Sequence, residues 1–316
     1  MATNLDTPFA LLRAYEDGLP GYLDRPRDRN MFLDSQPYQA YSEPNVAGCG
    51  AGQKALLWNY CLALDPTAFS ERQTDSDCVS HGSRNARDIV RAVEILLKHE
   101  PESFLQRGAT EPTYGARGHG GEGMSPATAS QFERDYGFMV RQAYPTVDLS
   151  KYNAEIGANW GRGGVPEDIK TLCKGHSVGR ITVIKSQNDL MDAMYNGYAA
   201  HSGQNAAWAA EPSKDNTHHR RSPGWSHDMC IVGYDDTKKH WPFRVWFIMN
   251  SWGAWNQPVK DWPADYGKQV PGMIVSSADD FQTCIDGMDC WIYGNIHGFP
   301  PQKLPNFGSV NLLEAK

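Results

Sequence analysis

The chain has 316 residues and a formal net charge of −7, because 30 lysines and arginines face 37 aspartates and glutamates. This length allows one large domain or two ordinary ones, with an ample core. Apolar residues make up 40 % and charged residues 21 % of the chain, which excludes a disordered or fibrous protein. The mild acidity does not favour binding to nucleic acid, which requires basic surfaces. No apolar run approaches the roughly 20 residues of a membrane-spanning helix.

The first half of the sequence is predicted to be mostly helical. Residues 1–48 are polar and rich in turns, and we expect an arm that packs on the main body. A short helical stretch follows at 55–64, and residues 79–99 carry apolar side chains at helical spacing that predict the best-defined helix. A glycine-rich loop at 115–123 and a further helix at 126–136 complete this half.

The second half is predicted to consist mainly of short strands, which are bounded by turn residues. The predicted strands are 180–184, 198–202, 229–234, 244–249, 272–275 and 290–293. One helix is predicted between the first two strands, at 187–196. A run of helices followed by a run of strands favours an α+β fold with two subdomains over alternating βαβ units.

The seven cysteines are an odd number without a C-x-x-C pair, so they lack the spacing of a zinc site. Cys78 differs from the others because it stands at the start of the helix predicted at 79–99. The unpaired amides and the dipole of a helix N-terminus favour the thiolate, the nucleophilic form of a cysteine. Cys49, just before the shorter helix, is the competing candidate.

A cysteine nucleophile needs a base, and the base needs a partner that orients it. His227 precedes the apolar strand at 229–234, and Asn250 follows the next strand at 244–249. Strands adjacent in sequence commonly pair as a hairpin, which would place the start of one beside the end of the other. His227 and Asn250 are therefore predicted to be neighbours, and Trp252 is predicted to shield their hydrogen bond from water.

Two further patterns could hold an ion. His218 and His219 lie beside Arg220 and Arg221 and suggest either a metal or anion patch or a solvated loop. The acidic segment at 286–289 lacks the ligand spacing of an EF-hand loop. The sequence places no third metal ligand beside the histidines, so no metal and no other cofactor is expected.

These residues, taken in order, resemble a papain-like cysteine peptidase of the bacterial or phage kind. The Asn-Ser-Trp-Gly sequence at 250–253 matches the family's last catalytic segment in full. His227 and the strand after it match the family's histidine strand, and the segment around Cys78 resembles the nucleophile segment. Gln73, upstream of that segment, resembles the glutamine that stabilises the oxyanion. The resemblance covers roughly residues 70–300.

The resemblance implies a fold and a set of roles. It implies a helical left subdomain with a central helix and an antiparallel β right subdomain. Cys78 would be the nucleophile, His227 the acid and base, and Asn250 the residue that orients the imidazole. Gln73 would stabilise the oxyanion together with the Cys78 amide. The candidate substrate-binding residues on the wall of the cleft are Gly120, Gly121 and Trp252.

The sequence also departs from the family pattern. Val79 stands where a tryptophan usually follows the nucleophile, and Gln73 lies five residues before Cys78 instead of six. Asp75 occupies the position of the family's second cysteine, so the usual disulfide cannot form there. The polar start of the chain shows no signal peptide. Together these features favour a cytoplasmic or virion-associated protein.

The expected division is an arm and lead-in helix at 1–69, a catalytic domain at 70–300 and a tail at 301–316. The catalytic domain would have a helical part at 70–175 and a β part at 176–300. The first hypothesis for function is a cysteine peptidase that acts on a peptide or protein. The alternatives are an inactive papain-like structural or binding protein, with the arm as the surface for an assembly partner, and an amidase or transpeptidase of cell-wall peptides. The oligomeric state is not determined by the sequence.

Overall fold

The structure is a computed structural model that describes residues 21–25, 47–205, 207–222, 224–287 and 289–297. Within these residues, one long helix packs between a mostly helical part and an antiparallel sheet. The α+β class predicted from the sequence is therefore confirmed. The predicted C-terminal tail lies outside the described residues, as does most of the predicted arm.

Eight α-helices form in the described part of the chain. They are α1 (Trp58–Leu64), α2 (Cys78–Leu96), α3 (Glu111–Gly115), α4 (Pro126–Tyr136), α5 (Ala154–Gly163), α6 (Glu167–Cys173), α7 (Gln187–Tyr195) and α8 (Ala278–Asp286). The helix predicted at 79–99 is α2, which begins one residue earlier and ends at Leu96. The helix predicted at 126–136 is α4, with the same bounds. None of these helices has the length and apolar character that crossing a bilayer requires.

Nine strands complete the described elements. They are β1 (Lys54–Leu56), β2 (Ser177–Ile184), β3 (Ala200–Gln204), β4 (Ala207–Pro212), β5 (His219–Ser222), β6 (His227–Asp235), β7 (Val245–Met249), β8 (Met273–Ser277) and β9 (Cys290–His297). Seven of them pair antiparallel in the order β2-β9-β3-β6-β7-β8, with β1 also on β6. The remaining two, β4 and β5, form a separate hairpin.

Helix α2 is buried on every face and connects the two parts of the molecule. Its apolar stripe, which includes Ile89 and Val93, packs in the main core with β3, β6 and β9. Its charged side chains between Arg84 and Glu94 are buried as well. Arg87, for example, lies 3.5 Å from Glu133 of α4 and stacks on the ring of Phe138. The position of the first residue of α2 is therefore fixed from both sides.

Several elements differ from the sequence prediction. Ala55 and Leu56, predicted to begin a helix, form β1 together with Lys54 and pair in the main sheet with residues 233–235 of β6. The polar loop that carries His218 and His219 contains the hairpin of β4 and β5. Helix α8 was not predicted, although Ser277 caps its N-terminus by accepting a hydrogen bond from the amide of Asp280.

The strand β1 bears on the predicted division of the chain at residue 69. Residues 54–64 were assigned to the arm and lead-in, but β1 is part of the main sheet. Trp58 of α1 is fully buried and meets Phe247 of β7 edge to face at 5.0 Å. The predicted boundary at residue 175 also stays a prediction; the helices α7 and α8 lie among the strands that follow it. The division at 69 itself stays a prediction.

Gly233 provides a test of the packing between β1, α1 and β6. A Cβ atom at Gly233 would lie 2.5 Å from the Ala55 carbonyl oxygen and 2.7 Å from the Trp58 ring. We expect Gly233→Ala to lower the free energy of unfolding by about 1–3 kcal/mol through overpacking. Urea unfolding followed by tryptophan fluorescence measures the change.

Gly163, the last residue of α5, is the matched control, since a Cβ there would have no atom within 4 Å. Gly163→Ala should leave stability unchanged or raise it by up to about 1 kcal/mol, because alanine restricts the unfolded chain. Equal urea midpoints for Gly233→Ala and the wild type would contradict the close packing around β6.

Candidate active site

Cys78 is the first residue of α2 and is completely buried. Its Sγ accepts a hydrogen bond of 3.4 Å from the backbone amide of Asp228, the second residue of β6. The N-terminus of the central helix therefore meets the beginning of the central strand. This contact places the thiol beside the residue that precedes Asp228, which is His227.

His227 and Asn250 lie together as the predicted hairpin requires. Strands β6 and β7 pair antiparallel, with Cys230 opposite Met249, so the start of β6 lies beside the residue that follows β7. The His227 Nε2 donates to the Asn250 Oδ1 at 2.9 Å. Because Nε2 is committed to Asn250, Nδ1 is the ring nitrogen through which a proton would be exchanged with a thiol.

Tryptophans form a wall against the imidazole. The Trp252 ring lies over His227 with a centroid distance of 4.5 Å and an interplanar angle of 32°. Trp225 meets His227 edge on at 5.9 Å and packs on Trp252 at 4.7 Å. All three side chains are buried, so the hydrogen bond to Asn250 lies in an environment of low dielectric.

Gln73 is held against the turn that follows Asn250. Its backbone amide donates to the Ser251 carbonyl at 2.9 Å, and its Oε1 accepts from the Ser251 hydroxyl. Its Nε2 donates to the carbonyl of Asp75 at 2.9 Å. The side-chain amide thus has one N–H committed to its own loop, and one N–H remains for another acceptor.

Gly120 and Gly121, predicted to line a cleft, lie exposed in the loop after α3. The carbonyl of Gly121 accepts from Arg117 Nε at 2.9 Å. Met124, three residues further along, forms backbone hydrogen bonds with Gly21 and Leu23 of the N-terminal region, whereas neither glycine does so in the described hydrogen bonds. The substrate-binding roles of the two glycines stay predictions.

A short piece of the N-terminal region, residues 21–25, crosses directly over Cys78. A Cβ atom at Gly21 would lie 2.2 Å from the Cys78 Sγ and 3.2 Å from the Ser76 carbonyl, so only glycine fits there. The Met124 amide donates to the Gly21 carbonyl, and the Leu23 amide donates to the Met124 carbonyl, both at 2.9 Å. This segment covers the thiol. The sequence predicted that the N-terminal arm packs on the main body, but it did not predict that the arm covers Cys78.

The covered environment favours the neutral forms of both reactive groups. Burial raises the pKa of the Cys78 thiol well above its usual range, and the carboxylates of Asp228 and Asp77 raise it further. Burial lowers the pKa of His227 to about 4, although the hydrogen bond with Asn250 opposes the change. With the segment in place, the pair is a thiol and an uncharged imidazole at neutral pH.

A buried histidine–carboxylate pair, His201 and Asp228, lies beside the thiol and was not predicted. The carboxylate of Asp228 accepts from His201 Nδ1 of β3 at 2.9 Å, and both side chains are fully buried. Burial raises the pKa of Asp228 to about 6, against the favourable charge of His201. The position of Asp228 directly after His227 is the only signal in the sequence.

The other candidates of the sequence have different surroundings. Cys49 lies in a turn, where its Sγ accepts from Asn196 Nδ2 at 3.3 Å. All seven cysteines fall within the described residues, and all are free thiols. His219 is buried, with its Nε2 at 2.9 Å from the Gln257 carbonyl and its Nδ1 accepting from the Val275 amide. Among the described residues, no group of three or more His, Cys, Asp or Glu side chains could hold a metal ion.

Comparison with known proteins gives a match only in structure. No family model matches the chain, and no curated protein matches its sequence. The structure of xylellain, a cysteine protease from Xylella fastidiosa, aligns with a TM-score of 0.56 at 12 % identity, over 88 % of this chain and 97 % of that one. Procathepsin L 3 from the larval midgut of Tenebrio molitor aligns with a TM-score of 0.47 at 13 % identity, over 91 % and 89 % of the two chains. The recombinant stem bromelain precursor also gives 0.47 at 13 % identity, over 90 % and 86 %.

The likeness to xylellain extends over nearly the whole length of both chains. The chain has the papain-like fold, as the resemblance in its sequence implied. At 12 % identity this likeness concerns the fold alone. The assignment to a bacterial or phage kind of the family stays a prediction.

The titration of His227 tests the covered state. Because burial lowers its pKa to about 4, we expect its ring signals to stay constant as the pH falls from 7.5 to 5 and to move only near pH 4. Two-dimensional NMR of the imidazole rings measures this titration. His227→Gln, which lacks the ring, assigns the signal.

Asn250→Ala is the informative variant, because the hydrogen bond from Asn250 raises the pKa of His227 in the wild type. Its loss should lower the pKa further. A midpoint near 6.5 in the wild type, the ordinary value for an exposed histidine, would contradict the buried imidazole.

Proposed function

We propose that the chain is a cysteine peptidase in which Cys78, His227 and Asn250 form the catalytic triad. The observation that carries the proposal is the contact of the Cys78 Sγ with the start of β6, directly beside the hydrogen-bonded pair of His227 and Asn250. A thiol at a helix N-terminus, an imidazole and an orienting amide are the three parts that thiol-based acyl transfer requires. The fold gives independent support.

The proposed reaction begins with transfer of the Cys78 proton to His227 Nδ1. The thiolate attacks the carbonyl carbon of a peptide bond, and a tetrahedral intermediate forms. The C–N bond then breaks as the imidazolium gives the proton to the leaving amine, and an acyl thioester remains on Cys78. Water, deprotonated by His227, hydrolyses the thioester and restores the thiol.

Asn250 and Trp252 support this proton transfer. The hydrogen bond from Nε2 to Asn250 fixes the tautomer of the imidazole and favours its protonated form. The Trp252 ring lies over the imidazole, and the burial of both rings keeps water away from the bond to Asn250. We therefore assign Trp252 a shielding role. Its contact with substrate stays a prediction.

Gln73 is the proposed side-chain donor to the oxyanion, together with the Cys78 amide. Its attachment to Ser251 ties it to the same turn that carries Asn250. One N–H of its amide remains after the bond to Asp75, and a donor aimed at a developing oxyanion accelerates acyl transfer strongly.

One observation favours a second candidate, a papain-like protein without turnover, such as a virion or assembly component. Gly21 lies on the sulfur atom, and the covered environment holds the thiol and the imidazole in their neutral forms. A peptidase requires this segment to move away, whereas a structural protein does not. Activity measurements therefore decide between the two.

Substitutions in the triad test the peptidase directly. We expect Cys78→Ser to reduce cleavage of a mixed peptide library to background, because the hydroxyl is a far weaker nucleophile. His227→Ala should lower kcat/KM about 100-fold or more, through loss of the general base. Cleavage products are identified and timed by mass spectrometry.

The control is Cys49→Ser, which removes the half-buried thiol outside the site and should leave the rates unchanged. Gly21→Ala is tested in parallel, since its Cβ would clash with the sulfur and displace the segment. Absence of cleavage in both the wild type and Gly21→Ala, with Cys78 still open to alkylation, would favour the structural alternative.

The role of Gln73 is tested separately. We expect Gln73→Ala to lower kcat about 100-fold with little change in KM, since a donor to the oxyanion acts in the transition state. Ser251→Ala removes only the hydroxyl that holds the Gln73 carbonyl and should cause a smaller loss. A kcat within a factor of three of the wild type in Gln73→Ala would remove this residue from the mechanism.

A further inference from the structure

The loop at residues 73–78 carries both proposed donors to the oxyanion. The Gln73 side-chain amide lies at its start, and the Cys78 backbone amide lies at its end. Two donors stabilise an oxyanion together only if both are aimed at the same oxygen, so the shape of this loop matters for the reaction. All seven cysteines fall within the described residues and are free thiols, so no disulfide holds the loop. Its shape therefore depends on hydrogen bonds.

The hydroxyl of Tyr152 bonds the loop beside both donors. It accepts a hydrogen bond of 3.2 Å from the backbone amide of Thr74, the residue after Gln73. It also donates to Oδ2 of Asp77, the residue before Cys78, at 2.8 Å. A single hydroxyl group thus connects the two ends of the loop, at the immediate neighbours of the two donors.

The carboxylate of Asp77 is turned toward this hydroxyl. Asp77 is the N-cap residue of α2, but its side chain forms no capping hydrogen bond. It is buried, its Oδ1 has no hydrogen-bond partner among the described residues, and His81 Nε2 lies 3.4 Å from its Oδ2. A buried carboxylate with so few partners depends strongly on each of them.

The charge of Asp77 does not serve to activate the nucleophile. Burial raises the pKa of the Cys78 thiol, and the nearby carboxylates of Asp228 and Asp77 raise it further. Burial and the charge of Asp77 also raise the pKa of the Tyr152 phenol, so this hydroxyl keeps its proton and remains a donor. The pair of Tyr152 and Asp77 is therefore suited to holding the loop rather than to ionising the thiol.

Tyr152 itself stands on an anchored piece of backbone. The amide of the next residue, Asn153, donates to Glu111 Oε1 at 2.8 Å, and the Asn153 side chain caps the N-terminus of α5. Glu111 is buried and accepts from Arg141 Nη1 at 2.6 Å. The Tyr152 ring meets His81 of α2 edge on at 5.0 Å. The hydroxyl thus extends from the helical part onto the loop with little freedom to move.

We propose that Tyr152 is a positioning residue for the oxyanion hole. Its hydroxyl holds the two ends of the loop at a fixed separation, so that the amides of Gln73 and Cys78 converge on one oxygen atom. The inference rests on the proposed peptidase function and adds a residue that acts through the two donors without touching the substrate.

The first measurement separates kcat from KM. All variants are made in the full chain carrying Gly21→Ala, whose added Cβ displaces the segment over Cys78. We expect Tyr152→Phe to lower kcat about tenfold with KM nearly unchanged, because misplaced oxyanion donors lose their effect in the transition state. Cleavage of one peptide found in the mixed library is timed by mass spectrometry.

A double variant shows whether Tyr152 acts through Gln73. In Gln73→Ala the side-chain donor is absent, so there is less for the hydroxyl to position. Tyr152→Phe should then lower kcat by less than about threefold, because residues that act as one unit are not additive. Losses that simply multiply would overturn the proposal.

Two variants serve as controls. The Tyr144 hydroxyl also accepts from a backbone amide and donates to an oxygen, both of Val140, at 3.2 and 3.1 Å. Tyr144→Phe should leave kcat within about a factor of two, since these bonds lie away from the loop. Asp77→Asn retains an oxygen for the Tyr152 hydroxyl and should lower kcat less than Tyr152→Phe does. An equal loss would assign the effect to the charge of Asp77 and overturn the positioning role.

The second measurement needs no turnover. A peptide aldehyde binds reversibly when the Cys78 sulfur bonds its carbonyl carbon and the thiol proton passes to the carbonyl oxygen, which then lies where the oxyanion would form. Iodoacetamide alkylates the same sulfur by displacing iodide and forms no such oxygen. We expect Tyr152→Phe to weaken aldehyde binding about tenfold and to leave the alkylation rate of Cys78 within about twofold.

Equal losses in aldehyde binding and in alkylation would indicate a general loosening of α2 and would overturn the proposal, as would unchanged aldehyde binding. Both results leave the peptidase function standing when the Gly21→Ala protein cleaves peptides. If that protein neither cleaves peptides nor binds the aldehyde while Cys78 is still alkylated, the peptidase function and the positioning role are refuted together. The two failures are therefore distinguishable.

Discussion

The contact between the first residue of α2 and the beginning of β6 is the constraint on which the rest of the site depends. The Asp228 amide, bonded to the Cys78 Sγ, joins the two parts of the molecule at one point. Burial of α2 on every face fixes one side of this contact, and the antiparallel pairing of β6 with β3 and β7 fixes the other. A ligand that reaches the Cys78 thiol therefore binds at the junction of α2 and β6.

The electrostatics of the junction depend on whether residues 21–25 are in place. A buried thiol and a buried imidazole both lose the solvation that their charged forms need, so each stays neutral. Departure of the segment would admit water and restore the advantage of the helix N-terminus for a thiolate. The position of the covering segment and the protonation of the pair are therefore linked. In the covered state, the buried Asp228 further opposes formation of the thiolate.

How much of the site could be predicted depended on distance along the chain. The pair of His227 and Asn250 is separated by 23 residues and follows from hairpin geometry, which two adjacent apolar strands already dictate. The contact of Cys78 with Asp228 spans 150 residues, and only a family resemblance pointed toward it. The covering segment has no periodicity or motif, and β1 is too short for its apolar residues to distinguish a strand from a helix. Such features depend on tertiary packing that a local pattern does not encode.

The segment at residues 21–25 that covers Cys78 has a consequence for how the proposed peptidase would respond to the concentration of a peptide. A ligand attached to its own binding site competes at an effective concentration that reaches millimolar for short flexible connections. An outside peptide would therefore show an apparent affinity reduced by the fraction of molecules in which the cleft is open. A peptide at low concentration would then rarely displace the segment, whereas a peptide at high local concentration would bind. The arm would then act as a threshold rather than as an on–off switch.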